Sequence, residues 1–168
     1  MNIKISNLSD GIHNYKFDED VKGLGLDEPF VKNLHVNVQL NKSHNQIILD
    51  AELSVDANLS CDRCNKNFNS VLTNSYRIVY LFNMEADDSQ SINLTYLNLD
   101  SDKINIDNDV RDYALLSIPM KKLCKEDCKG LCPKCGKNLN EGSCNCLKTN
   151  IDDRWLPLQE LKNKINNN

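Results

Sequence analysis

The chain has 168 residues, only 6% aromatics, a mean hydropathy of −0.52 and a net charge of −4. That length suits one domain, or one with a small appendage, and allows a core that needs no cross-links merely to fold. No apolar run is long enough to span a membrane, and MNIKISNLSDG lacks the apolar stretch of a signal peptide. The expected compartment is therefore the cytoplasm, where thiols stay reduced.

Two stretches alternate strictly. Leu34, Val36, Val38 and Leu40 share one face of a predicted strand, and Leu49, Ala51, Leu53, Val55, Ala57 and Leu59 share one face of a longer one. KSHN (42–45) between them reads as a hairpin turn. The longer strand runs into CDRC (61–64). FNSVLTNSYRIVYLF (68–82) then reads as a third strand, with Tyr76, Ile78, Tyr80 and Phe82 on one face. Cys61 and Cys64 thus fall at a turn between two strands.

NMEADDSQS (83–91) is acidic and polar, a loop, and INLTYLNL (92–99) is a further strand. From 107 the period changes. Val110, Tyr113, Ala114, Ser117 and Ile118 recur at helical spacing, Asp107 is placed to cap the start, and Pro119 marks the end. Trp155, Leu158, Leu161 and Ile165 suggest a short terminal helix with Pro157 in its first turn. Asn is abundant throughout and reads as compositional bias.

The eight cysteines are the dominant signal, six of them between 124 and 146. CPKCG (132–136) has the form of a zinc knuckle. Two thiolates separated by two residues bind one ion from a tight turn, Pro133 stiffens it, and Gly136 tolerates the positive φ that follows. CNC (144–146), after the turn-rich eight-residue spacer GKNLNEGS, supplies two more thiolates. Four thiolates leave no open position, so such a site is structural rather than catalytic. CDRCN (61–65) is a second knuckle, with Asn65 in place of glycine, and CKEDC (124–128) is a looser pair. If Cys132, Cys135, Cys144 and Cys146 form one local site, then Cys61, Cys64, Cys124 and Cys128 form a second that closes a long loop. One or two structural Zn2+ ions are expected. Two alternatives stay open on spacing alone: Cys124/Cys128 paired with Cys132/Cys135, or a site left unfilled. Iron–sulfur ligation is also compatible with the spacing. Disulfides would fit an exported chain, and a redox CxxC would open a helix rather than join two strands.

Charge is unevenly spread: residues 1–120 carry −8 and residues 121–168 carry +4. Each tetrathiolate zinc adds about −2, so two would take the chain to about −8. Contact with RNA must then be local. Lys121, Lys122, Lys125, Lys129, Lys134 and Lys137 are the candidates, with charge compensation of the thiolates as their plainer role. His13, His35 and His44 form no metal or catalytic spacing, and no phosphate loop or nucleophile elbow occurs. No catalytic residues and no small-molecule substrate are expected.

A long strand ending in CDRC, a helix ending in LLSIPMKKLC, then CKEDCKGLCPKCGKNLNEGSCNC and DDRW before a leucine-bearing segment together resemble the YceD family of large ribosomal RNA subunit accumulation proteins. The resemblance runs from about residue 30 to 165 and is most specific over 118–154. Asp153 departs from it, standing where a proline is expected, but touches no expected ligand. The resemblance implies a cytoplasmic, non-enzymatic factor in ribosome biogenesis. Such a factor is needed for synthesis, processing or accumulation of large-subunit (23S) ribosomal RNA, and its partner is ribosomal RNA or a ribosomal protein. Two other readings compete: a zinc-stabilised module whose acidic body binds a basic ribosomal protein, and a thiol-redox sensor with a low-pKa cysteine not held by metal.

The fold class expected is α+β: a mainly antiparallel β body, sandwich or partly open barrel, with one or two short helices and a C-terminal Cys-rich zinc-knuckle module. Residues 1–120 form the body, with the first CxxC and a helix at about 107–118. Residues 121–168 form the zinc-binding segment, with its terminal helix docked on the body.

Overall fold

Alternation carried over three long consecutive segments builds the centre of the structure. The computed structural model describes residues 1–82, 93–98, 100–146, 154 and 158, and the chain divides into two units, Met1–Glu126 and Asp127–Asn168. In the first unit the elements are β1 (Asn2–Lys4), β2 (Gly11–Asp20), a 3-10 turn (Val21–Leu24), β3 (Phe30–Lys42), β4 (Gln46–Ser60), β5 (Asn67–Phe82), β6 (Leu94–Leu97), β7 (Lys103–Asn105) and α1 (Asp107–Leu116).

Five strands form one sheet in the order β2-β3-β4-β5-β6, antiparallel except for β6, which runs parallel to β5. β1 and β7 pair separately as an antiparallel ribbon. The large sheet is open: among the described residues its edge strands β2 and β6 do not pair. Among the described residues it is a mixed open sheet with one α-helix, not a closed barrel. The β3–β4 hairpin turns where KSHN predicts it, closed by Ser43 N–H donating to Gln46 O at 2.9 Å.

The alternating apolar residues all face one side. Leu34, Val36, Val38 and Leu40 of β3, Leu49 to Leu59 of β4 at every second position, and Leu72, Tyr76, Ile78 and Tyr80 of β5 are buried. Val110 and Ala114 of α1, Val21, Leu26, and Ile3, Ile5, Ile104 and Ile106 around the β1–β7 ribbon join them in one core cluster. Each large aliphatic side chain buried there contributes about 1.5–3 kcal/mol. Tyr76 stacks on Tyr113 of α1 at 4.3 Å between ring centroids, which docks the helix on β5.

The sheet's other face is polar. One cross-strand row reads Asn14, Gln39, Asp50, Arg77, in which Arg77 grips Asp50 through two bonds, at 2.6 and 3.1 Å. This polar-out, apolar-in division is what an antiparallel sheet covered on one side requires.

Three features depart from the reading of the sequence. β2 is a strand that the apolar pattern does not reveal, because it is an edge strand whose core face carries only half-buried Tyr15 and Phe17. Asp107 does not cap α1. Its carboxylate takes the Met1 amine and the Asn105 side chain, and Asn105 Oδ1 accepts the Asp107 N–H at 3.0 Å. A cation is a stronger partner for a carboxylate than a helix N–H. β6 covers only the middle of the predicted 92–99 strand. The 83–91 loop lies outside the described residues, as does the 155–165 helix except for Leu158.

The second unit, over 127–146, has no named helix or strand among its described residues. An isolated bridge between Leu131 and Asn138, and Leu139 N–H donating to Gly130 O at 2.9 Å, fold its chain back.

Leu53→Ala on the buried face of β4 should cost about 2–5 kcal/mol in a denaturant melt. Val71→Ala, on the exposed face of β5, should stay within about 0.5 kcal/mol.

Candidate metal centres

β4 ends at Ser60 and β5 begins at Asn67, so the sheet itself presents the turn that carries Cys61 and Cys64. In that turn Cys61 N–H donates to Lys66 O at 3.0 Å and Asn65 N–H to Cys61 O at 2.8 Å, with Asn65 at φ 55°. The second CxxC repeats the pattern residue for residue. Cys132 N–H donates to Lys137 O at 2.8 Å and Gly136 N–H to Cys132 O at 2.9 Å, with Gly136 at φ 71°. Two segments with different neighbours adopt one ring of hydrogen bonds because both place, after the second cysteine, a residue that tolerates the left-handed region.

The structure brings the eight cysteines together as two groups of four: Cys61, Cys64, Cys124 and Cys128, and Cys132, Cys135, Cys144 and Cys146. Within each group all Sγ atoms lie within 4.8 Å of one another. Cys61, Cys64, Cys128 and Cys132 are buried, Cys124, Cys144 and Cys146 half-buried, and Cys135 exposed. Cys64 Sγ and Cys124 Sγ stand 3.7 Å apart, well beyond the about 2.05 Å of a disulfide.

Asp62, between the two cysteines of CDRC, holds the segment after α1 in place. Its N–H donates to Lys122 O at 2.8 Å, its Oδ2 accepts from Lys122 N–H at 2.6 Å, and Lys122 Nζ stands 3.9 Å from its Oδ1. Arg63 adds a longer bond to Glu126 O at 3.4 Å. Neither residue stands out in the sequence, because the partners lie about sixty positions away. The available signal is an acidic residue inside one knuckle and a lysine pair just before another.

The thiols do not share one protonation state. Burial alone would push the Cys61 thiol up, but the N–H groups of Cys124, Cys64 and Arg63 outweigh it and bring it down to about 6. Cys132 comes down to about 6 through the N–H groups of Cys135 and Lys134 and a bond from Cys144. Cys146 is pushed up to about 12 by its bond to Cys135 and then by burial. A crowded thiol set behaves this way when backbone dipoles stabilise one thiolate and a neighbouring thiol keeps its proton by donating it. A dication removes that conflict by accepting all four as thiolates.

The six lysines divide. Lys121, Lys125, Lys129, Lys134 and Lys137 are exposed and Lys122 is half-buried. Lys122 is engaged with Asp62, and Lys137 Nζ donates to Ser143 O at 2.9 Å.

Comparison with known proteins returns one family. The model described as "Large ribosomal RNA subunit accumulation protein YceD" matches residues 49–162, a span that includes every cysteine. The chloroplastic large ribosomal RNA subunit accumulation protein YCED homolog 1 of Arabidopsis thaliana is 36% identical over 63 residues, 38% of this chain and 20% of the relative. Its Zea mays counterpart is 42% identical over 50 residues, 29% and 17% respectively. The matched segment thus spans about a fifth of the length of these curated relatives. No solved structure matches.

The two knuckles predict opposite responses to substitution. Gly136→Val puts a β-branched residue at positive φ and should cost about 1–3 kcal/mol, whereas Asn65→Gly should be nearly neutral. Thermal melts, with the rate of thiol labelling at about 25 °C, measure both.

Proposed function

The chain belongs to the YceD family of large ribosomal RNA subunit accumulation proteins, and from that premise we propose that it is a non-enzymatic, zinc-braced factor in ribosome biogenesis. On this reading it acts in the cytoplasm and promotes accumulation of large-subunit ribosomal RNA by binding that RNA through lysines around its two cysteine groups. The observation that carries the reading is the pair of four-thiol groups set among exposed lysines, within the span that the family shares.

Zinc fits the donor sets. A tetrahedral ion with Zn–S of about 2.3 Å separates its sulfurs by about 3.8 Å, and Cys64 and Cys124 stand at 3.7 Å. An iron–sulfur cube would spread its thiolates around a four-iron core, farther apart than ligands of a single ion. Cys61, Cys64, Cys124 and Cys128 would hold one ion and Cys132, Cys135, Cys144 and Cys146 the other. When bound, each ion supplies a dication that neutralises half the thiolate charge and fixes four chain positions. With no ligand position left open, its role is structural.

The chain's own residues do the rest. Residues 121–146 carry six lysines against three acids, and two tetrathiolate zincs would add about −4. The segment is then close to neutral, so affinity for RNA must come from lysine tips meeting phosphates locally rather than from net charge. A loop braced by metal meets its partner with little ordering cost.

A second reading rests on the −8 carried by residues 1–120, with the acids Asp18 and Glu52 on the polar face of β2–β4. A basic ribosomal protein would meet that face by charge complementarity.

Replacing Lys121, Lys125, Lys129 and Lys134 with Gln leaves the Lys122 and Lys137 bonds intact. The variant should weaken binding to large-subunit RNA fragments at least about tenfold. Its salt dependence should flatten by roughly 0.7 in slope for each phosphate that is no longer neutralised. Unchanged RNA affinity, with tight binding to a basic ribosomal protein, would favour the second reading. Cys61→Ser should also destabilise more than Cys132→Ser, since it opens a closure about sixty residues long rather than a local one. Limited proteolysis should then cut the Cys61 variant in both units and the Cys132 variant only after residue 126.

A further inference from the structure

Asn140 lies on the spacer between the two halves of the second cysteine group, yet its side chain reaches a ligand of the first. Its Nδ2 donates to Cys128 Sγ at 3.3 Å and to Asn138 Oδ1 at 2.9 Å. Its Oδ1 accepts the Lys129 N–H at 2.9 Å. A backbone N–H can only donate, so Lys129 pins the amide oxygen and turns the nitrogen toward the sulfur.

The spacer in turn holds Asn140. The Asn140 N–H donates to Asn138 Oδ1 at 3.0 Å, Asn138 Nδ2 to Glu141 Oε1 at 3.2 Å, and Lys137 Nζ to Ser143 O at 2.9 Å. The spacer is bounded by Cys135 and Cys144, both in the second group. Tying its two ends through one ion removes conformations in which Asn140 is misplaced. An N–H donated to a ligand thiolate fixes the rotamer of that ligand and offsets part of its charge.

We propose that Asn140 is a positioning residue that couples the two metal sites: filling Cys132, Cys135, Cys144 and Cys146 raises the metal affinity of Cys61, Cys64, Cys124 and Cys128. By linkage, filling the first group raises the affinity of the second by the same factor. The inference rests on the zinc reading. Loading of the local group then favours loading of the long-range group, because the filled local group sets the spacer that carries Asn140.

The test uses the full-length chain loaded with Zn2+ and challenged with rising chelator. Alkylation of released thiols, mapped by peptide mass spectrometry, reports each group separately. Asn140→Asp keeps the acceptor for Lys129 N–H but sets an anionic oxygen against the sulfur. It should release the first group at about 10- to 100-fold lower chelator strength. Release of the first group from Asn140→Asp at the wild-type chelator strength overturns the proposal. Cys144→Ser with Cys146→Ser should weaken the first group in the parent chain but add nothing in an Asn140→Ala background. Equal weakening in both backgrounds overturns the coupling. Hydrogen exchange over β3–β5 confirms that each variant keeps its sheet. If the parent chain holds two ions while the effects are additive, the coupling alone fails. If it holds none, the zinc reading fails and the coupling with it.

Discussion

Four thiols gathered within 4.8 Å cannot all ionise without a cation among them, and this chain gathers two such sets. In the second set Cys132 comes down to about 6 through backbone N–H groups while Cys146 is held up to about 12 by its bond to Cys135 and by burial; in the first set Cys61 comes down to about 6. Backbone N–H groups lower the Cys61 and Cys132 thiols, those of Cys124, Cys64 and Arg63 for the first and of Cys135 and Lys134 for the second. The lysines between the cysteines of the Cys-rich segment offset part of the charge that such thiolates would carry.

The two groups stand on different foundations. Cys61 and Cys64 inherit their position from β4 and β5, whose buried faces fix the turn between them. Asp62 then holds the backbone at Lys122, so Cys124 arrives close to Cys64 through ordinary hydrogen bonds. Among the described residues the second group is carried by no named strand or helix. Its 132–146 segment is held by the knuckle, the Leu131–Asn138 bridge, the Asn138–Glu141 turn and the bonds of Leu139 to Gly130, Asn140 to Lys129 and Lys137 to Ser143. A sheet-mounted group and a loop-mounted group therefore differ in how much of their order the rest of the fold supplies.

Much of this is legible in the residues. Period-two apolar alternation places β3, β4 and β5 and names their core faces, because burial on one side of a sheet demands that period. Cysteine spacing marks both knuckles, and Asn65 and Gly136 follow the local rule for φ. What stays hidden depends on distance in sequence. β2 is an edge strand with a weak apolar face. Asp62 acts on a segment sixty residues on. Asn140 looks like one more asparagine in an Asn-rich chain, and only the fold shows that it faces Cys128. Local chemistry can be read from a sequence, whereas a hydrogen bond between remote positions needs the topology first.

The family places this architecture among factors named for large ribosomal RNA subunit accumulation. A metal-braced surface that carries lysines is a physically sensible way to engage a charged assembly. The central claim, that two tetrathiolate sites organise the Cys-rich segment, is tested most directly by counting metal. Elemental mass spectrometry on protein purified without added metal is combined with thiol titration before and after denaturation. The account predicts two zinc ions per chain, with all eight thiols masked until the protein unfolds. Metal-free protein with thiols that react fully in the native state would contradict it.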